Sequence, residues 1–109
     1  MMYEQLVTAL QSCGIPFEEI GWEHAPAEGA YGIIALDGAA DTMWANDHME
    51  EQALSGSVDL FVRNKGLTEM LTVQRVLAQQ GISWRLEDVS YEPARHIMHY
   101  EWTFELEEL

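Results

Sequence analysis

Two histidines three residues apart, His96 and His99, stand inside the run "ARHIMHYEWTFEL" (94–106). On a helix that spacing would bring both imidazoles to one metal ion. The period of the run is that of a strand instead. Met98, Tyr100, Trp102, Phe104 and Leu106 alternate with His99, Glu101, Thr103 and Glu105. Side chains on a strand leave on alternate faces, so the two rings diverge. The expectation is a structural role for each, His96 at the start of the strand near Arg95 and His99 on its polar face beside Glu101. Asp37, Asp41, Asp47, His48, Glu50 and Glu51 form a second group of donors, and oxygen-rich loops suit Ca²⁺ or Mg²⁺. Their spacing matches no established calcium loop, and a solvated acidic loop is the favoured reading. No metal or cofactor is expected.

Catalytic patterns are equally thin. The chain holds no Gly-x-Ser-x-Gly elbow, no Cys–His pair in a recognisable setting and no glycine loop that would cradle phosphate. Adjacent carboxylates such as Glu18-Glu19 or Glu50-Glu51 would point to opposite faces of a strand, which leaves acid/base work unsupported. The expectation is a non-enzymatic protein. Four tryptophans (Trp22, Trp44, Trp84, Trp102) are many for one thin core, and large rings left at a surface mark interfaces. Trp44, beside the acidic loop, either meets a neighbour or packs back on its own sheet.

Composition narrows the classes further. The 109 residues suffice for one domain (1–109), and a 48% apolar content argues that it folds. Nineteen acidic against five basic side chains give a net charge of −14. Phosphate backbones are held by clustered cations, whereas Arg63, Lys65, Arg75, Arg85 and Arg95 are spread along the chain, so no direct nucleic-acid grip is expected. The lone cysteine, Cys13, excludes an internal disulfide and fits a reducing cytoplasm. No run approaches the ~18 apolar residues of a membrane span, and "MMYEQ" lacks the features of a signal peptide. The chain is expected to be made and folded in a cytosol.

The elements that would position these groups follow from periodicity. "MMYEQLVTALQSC" places Met2, Tyr3, Leu6, Val7, Ala9, Leu10 and Cys13 on one side of a helix that Gly14 ends. "LTEMLTVQRVLAQQ" predicts a second helix, with Leu67, Met70, Leu71, Val73, Leu77 and Ala78 as its stripe and Thr68 as N-cap. Between the helices the period drops to two. "AYGIIAL" and "DTMWAN" read as a hairpin through Asp37-Gly38. "SGSVDLFVR" reads as a central or near-central strand, extended backward through "MEEQAL". After the second helix, Trp84 and Leu86 share a face with Val89 and Tyr91 only if one extra residue intervenes, which predicts a β-bulge near Glu87-Asp88. Both helices are followed by Gly-Ile, one residue and an aromatic, an echo that duplication or shared local physics would produce. The expected fold class is α+β: an antiparallel or mixed sheet of about five strands including a hairpin, with two helices on one face.

The run "YGIIALDGAADTMWANDHMEEQALSGSVDLFVRNKG", the following helix, "GISWRLEDVSYEP" and "HYEWTFEL" together resemble small tail-completion or tail-terminator proteins of siphophages and prophages. The features that carry this are the Tyr31-Gly32 strand entry, Ala35-Leu36-Asp37-Gly38, the Val58–Val62 strand and the closing His99-Tyr100-Glu101-Trp102. The resemblance implies a virion assembly subunit that forms a homo-oligomeric ring, typically a hexamer, at the head–tail junction. Its partners would be the tail tube and head-connector proteins. It would be found in the bacterial cytoplasm during assembly and afterwards in the virion tail. An acidic ring lumen would repel passing DNA. Asp37, Asp41, Trp44, Asp47, His48, Glu50 and Glu51 are the expected interaction residues. The alternative is a small cytosolic ligand- or metal-binding module that uses the acidic loop 37–51.

Overall fold

Leu6, Val7 and Leu10 recur at helical spacing and are buried in the core against the sheet, which fixes the inward face of the first helix. A computed structural model describes residues 2–19, 29–39, 52–63 and 65–108. Helix α1 (Met2–Gln11) is followed by Gly14 at φ 97°, and this left-handed residue turns the chain into a short strand, β1 (Phe17–Glu19). Gln11 Nε2 donates to the Phe17 carbonyl and Tyr3 OH to Glu19, which ties helix to strand. Burial first, and then the Glu19 charge, pushes the Tyr3 phenol up to about 12.

Four longer strands and a second helix complete the described fold: β2 (Tyr31–Ala39), β3 (Gln52–Arg63), α2 (Leu67–Gln79), β4 (Ser83–Glu92) and β5 (Ile97–Glu108). The sheet order is β1-β2-β3-β5-β4. β1 pairs in parallel with β2, and every other pairing is antiparallel, so the sheet is mixed. Both helices lie on one side of it, and the fold is α+β as expected. β3 is the middle strand, and its backward extension begins at Gln52.

The core fills the space between helices and sheet. Leu6 and Leu10 of α1 and Val73 and Leu77 of α2 meet Ile34, Val58, Leu60, Trp102 and Phe104 of the sheet, all fully buried or nearly so. The closing stripe Tyr100, Trp102, Phe104 and Leu106 is buried as its alternation requires. Two glycines let layers approach closely: a Cβ at Gly32 would strike the Phe17 ring, and one at Gly56 would strike the Ala35 carbonyl and the Phe104 ring. Cys13 packs against the core, partly buried.

The predicted bulge is present, with the β4–β5 register shifting between Leu86 and Asp88. Other expectations are corrected. Asp37-Gly38 makes no turn: β2 runs on to Ala39, and Asp37 is the extra residue of a bulge between Leu36 and Gly38. Pairing with β3 continues through the dipeptide and overrides its local turn preference. The partner run 41–46 lies outside the described residues. Thr68 is not the N-cap of α2. That position belongs to Gly66, left-handed at φ 62°, with no side-chain cap bond, and Thr68 instead accepts a bond from Thr72 Oγ1 at its carbonyl. On α2, Val73 and Leu77 are buried as expected, but Leu67, Leu71 and Ala78 of the same stripe are exposed, while Val76 packs against the core.

Candidate interaction surfaces

The side of the sheet away from the helices is uncovered by any described element, and the strand register orders its side chains in rows. Tyr31 of β2, Phe61 of β3 and His99 of β5 lie abreast. Their rings stack in sequence, 5.0 Å apart at 17° and then 4.5 Å apart at 3°. In the next row Asp59 faces Glu101, which faces Asp88 across β4. His99 Nε2 reaches diagonally to donate to Asp59 Oδ1 at 2.7 Å. Burial, with the Asp59 charge next, holds the Glu101 carboxyl above the usual range. The third row sets Ser57 beside Thr103 and Thr103 beside Arg85. Arg85 is paired with Glu87 at 2.6 Å, and Thr103 Oγ1 donates to the same carboxylate.

A shallow depression of about 460 Å³ lies at the Ala39 end of this face, lined by Asp37, Ser55, Ser83, Arg85, Thr103 and Glu105 among others. Asp37, on its bulge, is exposed there. It is the one expected interaction residue that the structure describes. Asp41, Trp44, Asp47, His48, Glu50 and Glu51 lie outside the described residues, and so does Trp22.

The two histidines are apart, but only His99 lies on β5; His96 precedes the strand, so the turn and not strand alternation separates the rings. His96 sits in the turn before β5, left-handed at φ 56°, where Nδ1 shares a hydrogen bond with Tyr91 OH at 3.0 Å. His99 is on the open face, and among the described residues no three His, Cys, Asp or Glu side chains are grouped to hold a metal. Ser90 stands opposite His99 in register, so serine, histidine and aspartate occur side by side. His99 leans the other way, onto Phe61, and no Ser90–His99 bond is formed among the described residues. Ser90 and His99 are thus not joined here as a nucleophile and its base are joined in a triad.

A second surface was missed by the sequence reading. Trp84, Leu86, Val89 and Tyr91 of β4 pair with Phe104, Trp102, Tyr100 and Met98, which places them on the helix side of the sheet. Trp84 packs against the core, partly buried, whereas Leu86, Val89 and Tyr91 are exposed. α2 is seated over β5, where Trp102 Nε1 donates to Gln74 Oε1 at 3.3 Å. The groove between the helices is lined by Glu4, Gln5, Thr8 and Ala9 of α1 and by Gln79 and Gln80, which puts α1 against one flank of α2. Leu67 and Leu71 are exposed positions of α2 away from the buried Val73 and Leu77. Six large apolar side chains are exposed among the described residues: Leu36 of β2, Leu67 54% and Leu71 53% of α2, and Leu86 38%, Val89 46% and Tyr91 50% of β4. Their apolar types were legible in the sequence, but the lack of a covering element was not.

Among the described residues no helix is long and apolar enough to cross a membrane. No protein-family model matches the chain, and no curated protein matches it. One solved structure, whose name describes no function, is similar over 97% of this chain and 96% of its own, with a TM-score of 0.50 at 14% identity. At that identity the likeness is one of fold.

Proposed function

We propose that this chain is a non-enzymatic assembly subunit of a phage or prophage tail, a terminator or completion protein that joins copies of itself into a ring at the head–tail junction. The observation that carries the reading is the exposure of large apolar side chains on α2 and β4. A small domain that leaves Leu67, Leu71, Leu86, Val89 and Tyr91 exposed is suited to being covered by another protein surface. The uncovered sheet face, with its aromatic stack and carboxylate row, supplies a second broad surface on the other side of the same domain. The net charge of −14 supports it as well, because an acidic ring would let DNA pass without gripping it. Action by contact also fits the site chemistry, in which His99 is engaged by Asp59 and Phe61 rather than aimed at a nucleophile.

The test is electron microscopy of tail-tube protein polymerised with and without the purified chain. The expected outcome is ring-shaped density capping one end of each tube and an arrest of tube growth. Tubes that lengthen equally and carry no cap would overturn the reading.

A further inference from the structure

We propose that the open face of the sheet is the docking surface for a basic segment of a different protein, whose Lys or Arg side chains meet a row of carboxylates that crosses the sheet and whose apolar residues meet the rings beside it. The inference goes beyond the assembly reading and does not rest on it.

The row is set by strand register. Glu18 of β1 pairs with Ile33 of β2, Ile33 with Asp59 of β3, Asp59 with Glu101 of β5 and Glu101 with Asp88 of β4. Four of the five strands thus contribute a carboxylate, and at the ~4.8 Å spacing of neighbouring strands the row spans about 19 Å. Like charges set opposite one another weaken a sheet. Compensation inside the domain is slight: His99 donates to Asp59, and among the described residues Glu18, Glu101 and Asp88 have no Lys or Arg partner. Burial first, and then the charges of Asp59, Asp88 and Glu87, hold the Glu101 carboxyl up against His99 alone. Two residues further along the strands lie the half-buried rings of Tyr31, Phe61 and His99, so the face turns apolar on one side of the row.

Charge and shape select the occupant. A second copy brings five cations and nineteen acidic side chains, and two of those cations are held by Glu87 and Glu92. Nucleic acid and anionic lipid are repelled by the row. Small ligands take concave sites, and none of these carboxylates lines the depression at the Ala39 end. An extended basic segment crossing the strands fits, because Lys or Arg at alternate positions fall ~6.7 Å apart on one side of it, close enough to place cations along the whole row. Its binding turns the like-charge repulsion of the free sheet into attraction.

Calorimetric titration of the full chain with a short peptide alternating Lys and Val, and with its Glu–Val counterpart, tests this. Binding of the Lys peptide and none of the Glu peptide is expected. Glu101→Gln with Asp88→Asn is expected to weaken Lys-peptide binding about tenfold, whereas Glu4→Gln with Glu69→Gln, which removes two carboxylates from the helices, is expected to change it by less than about twofold. A natural chain that takes no Lys peptide, or two variants weakened alike as net charge alone would do, would overturn the proposal. So would self-association that the Glu101–Asp88 variant abolishes, which would give the face to a second copy. Tube capping is read separately. A chain that caps tubes but takes no Lys peptide loses this proposal alone, and one that takes the peptide but never caps loses only the assembly reading.

Discussion

Glu101 shows how a single position on the open face carries the tension of an acidic sheet. It stands between Asp59 and Asp88 in register, and burial followed by the Asp59 charge raises its pKa. A carboxyl whose folded pKa lies above its unfolded one favours the folded state while protonated, and that stability is lost as pH rises through the folded pKa. Glu101→Gln is therefore expected to raise the melting temperature at pH 7 by about 2 °C, with the difference vanishing below the ordinary carboxylate range of ~4. A melting series from pH 3 to about pH 8 checks it. Trp102 represents the opposite case, a side chain that is fully buried and also bonded to Gln74. Trp102→Ala is expected to cost about 3–5 kcal/mol in urea denaturation, through lost burial and the cavity left behind.

At the scale of elements, patterning fixed the helices, the central β3 and the closing β5, because each has an uninterrupted period with one buried face. The bulge in β4 was legible too, since only an extra residue keeps Trp84 and Leu86 in phase with Val89 and Tyr91. Glu87 deletion removes that extra residue. Both flanking registers are kept, with Trp84, Leu86, Val89 and Tyr91 in unbroken alternation on the helix side, so only the exposed Arg85–Glu87 pair is lost and a change within about 1 kcal/mol in chemical denaturation is expected. What escaped the sequence were the properties that depend on partners. A turn-forming dipeptide, Asp37-Gly38, became a bulge because β3 pairs on both sides of it. The stripe of α2 marked its apolar positions without showing that no described element covers Leu67 and Leu71. The rows of the open face arise between strands distant in the chain, as Asp59 and His99 are, forty residues apart. Of the residues expected to make contacts, Asp37 alone falls within the described structure, on the bulge and at the rim of the depression.

The whole molecule is a two-layer domain whose helices cover only part of a five-stranded sheet. The side chains left exposed on α2 and β4 are apolar, and the open sheet face is aromatic and acidic. Such surfaces suit contact with other chains, whereas a monomer gains nothing from leaving five large apolar side chains in water. Light scattering coupled to size exclusion, run on the purified chain over rising concentrations and again with tail-tube protein added, tests that account most directly. It predicts a discrete assembly at a small whole-number multiple of 12.4 kDa, whose population grows with concentration or on the tube. A mass of 12.4 kDa at every concentration, with and without the tube protein, would contradict it.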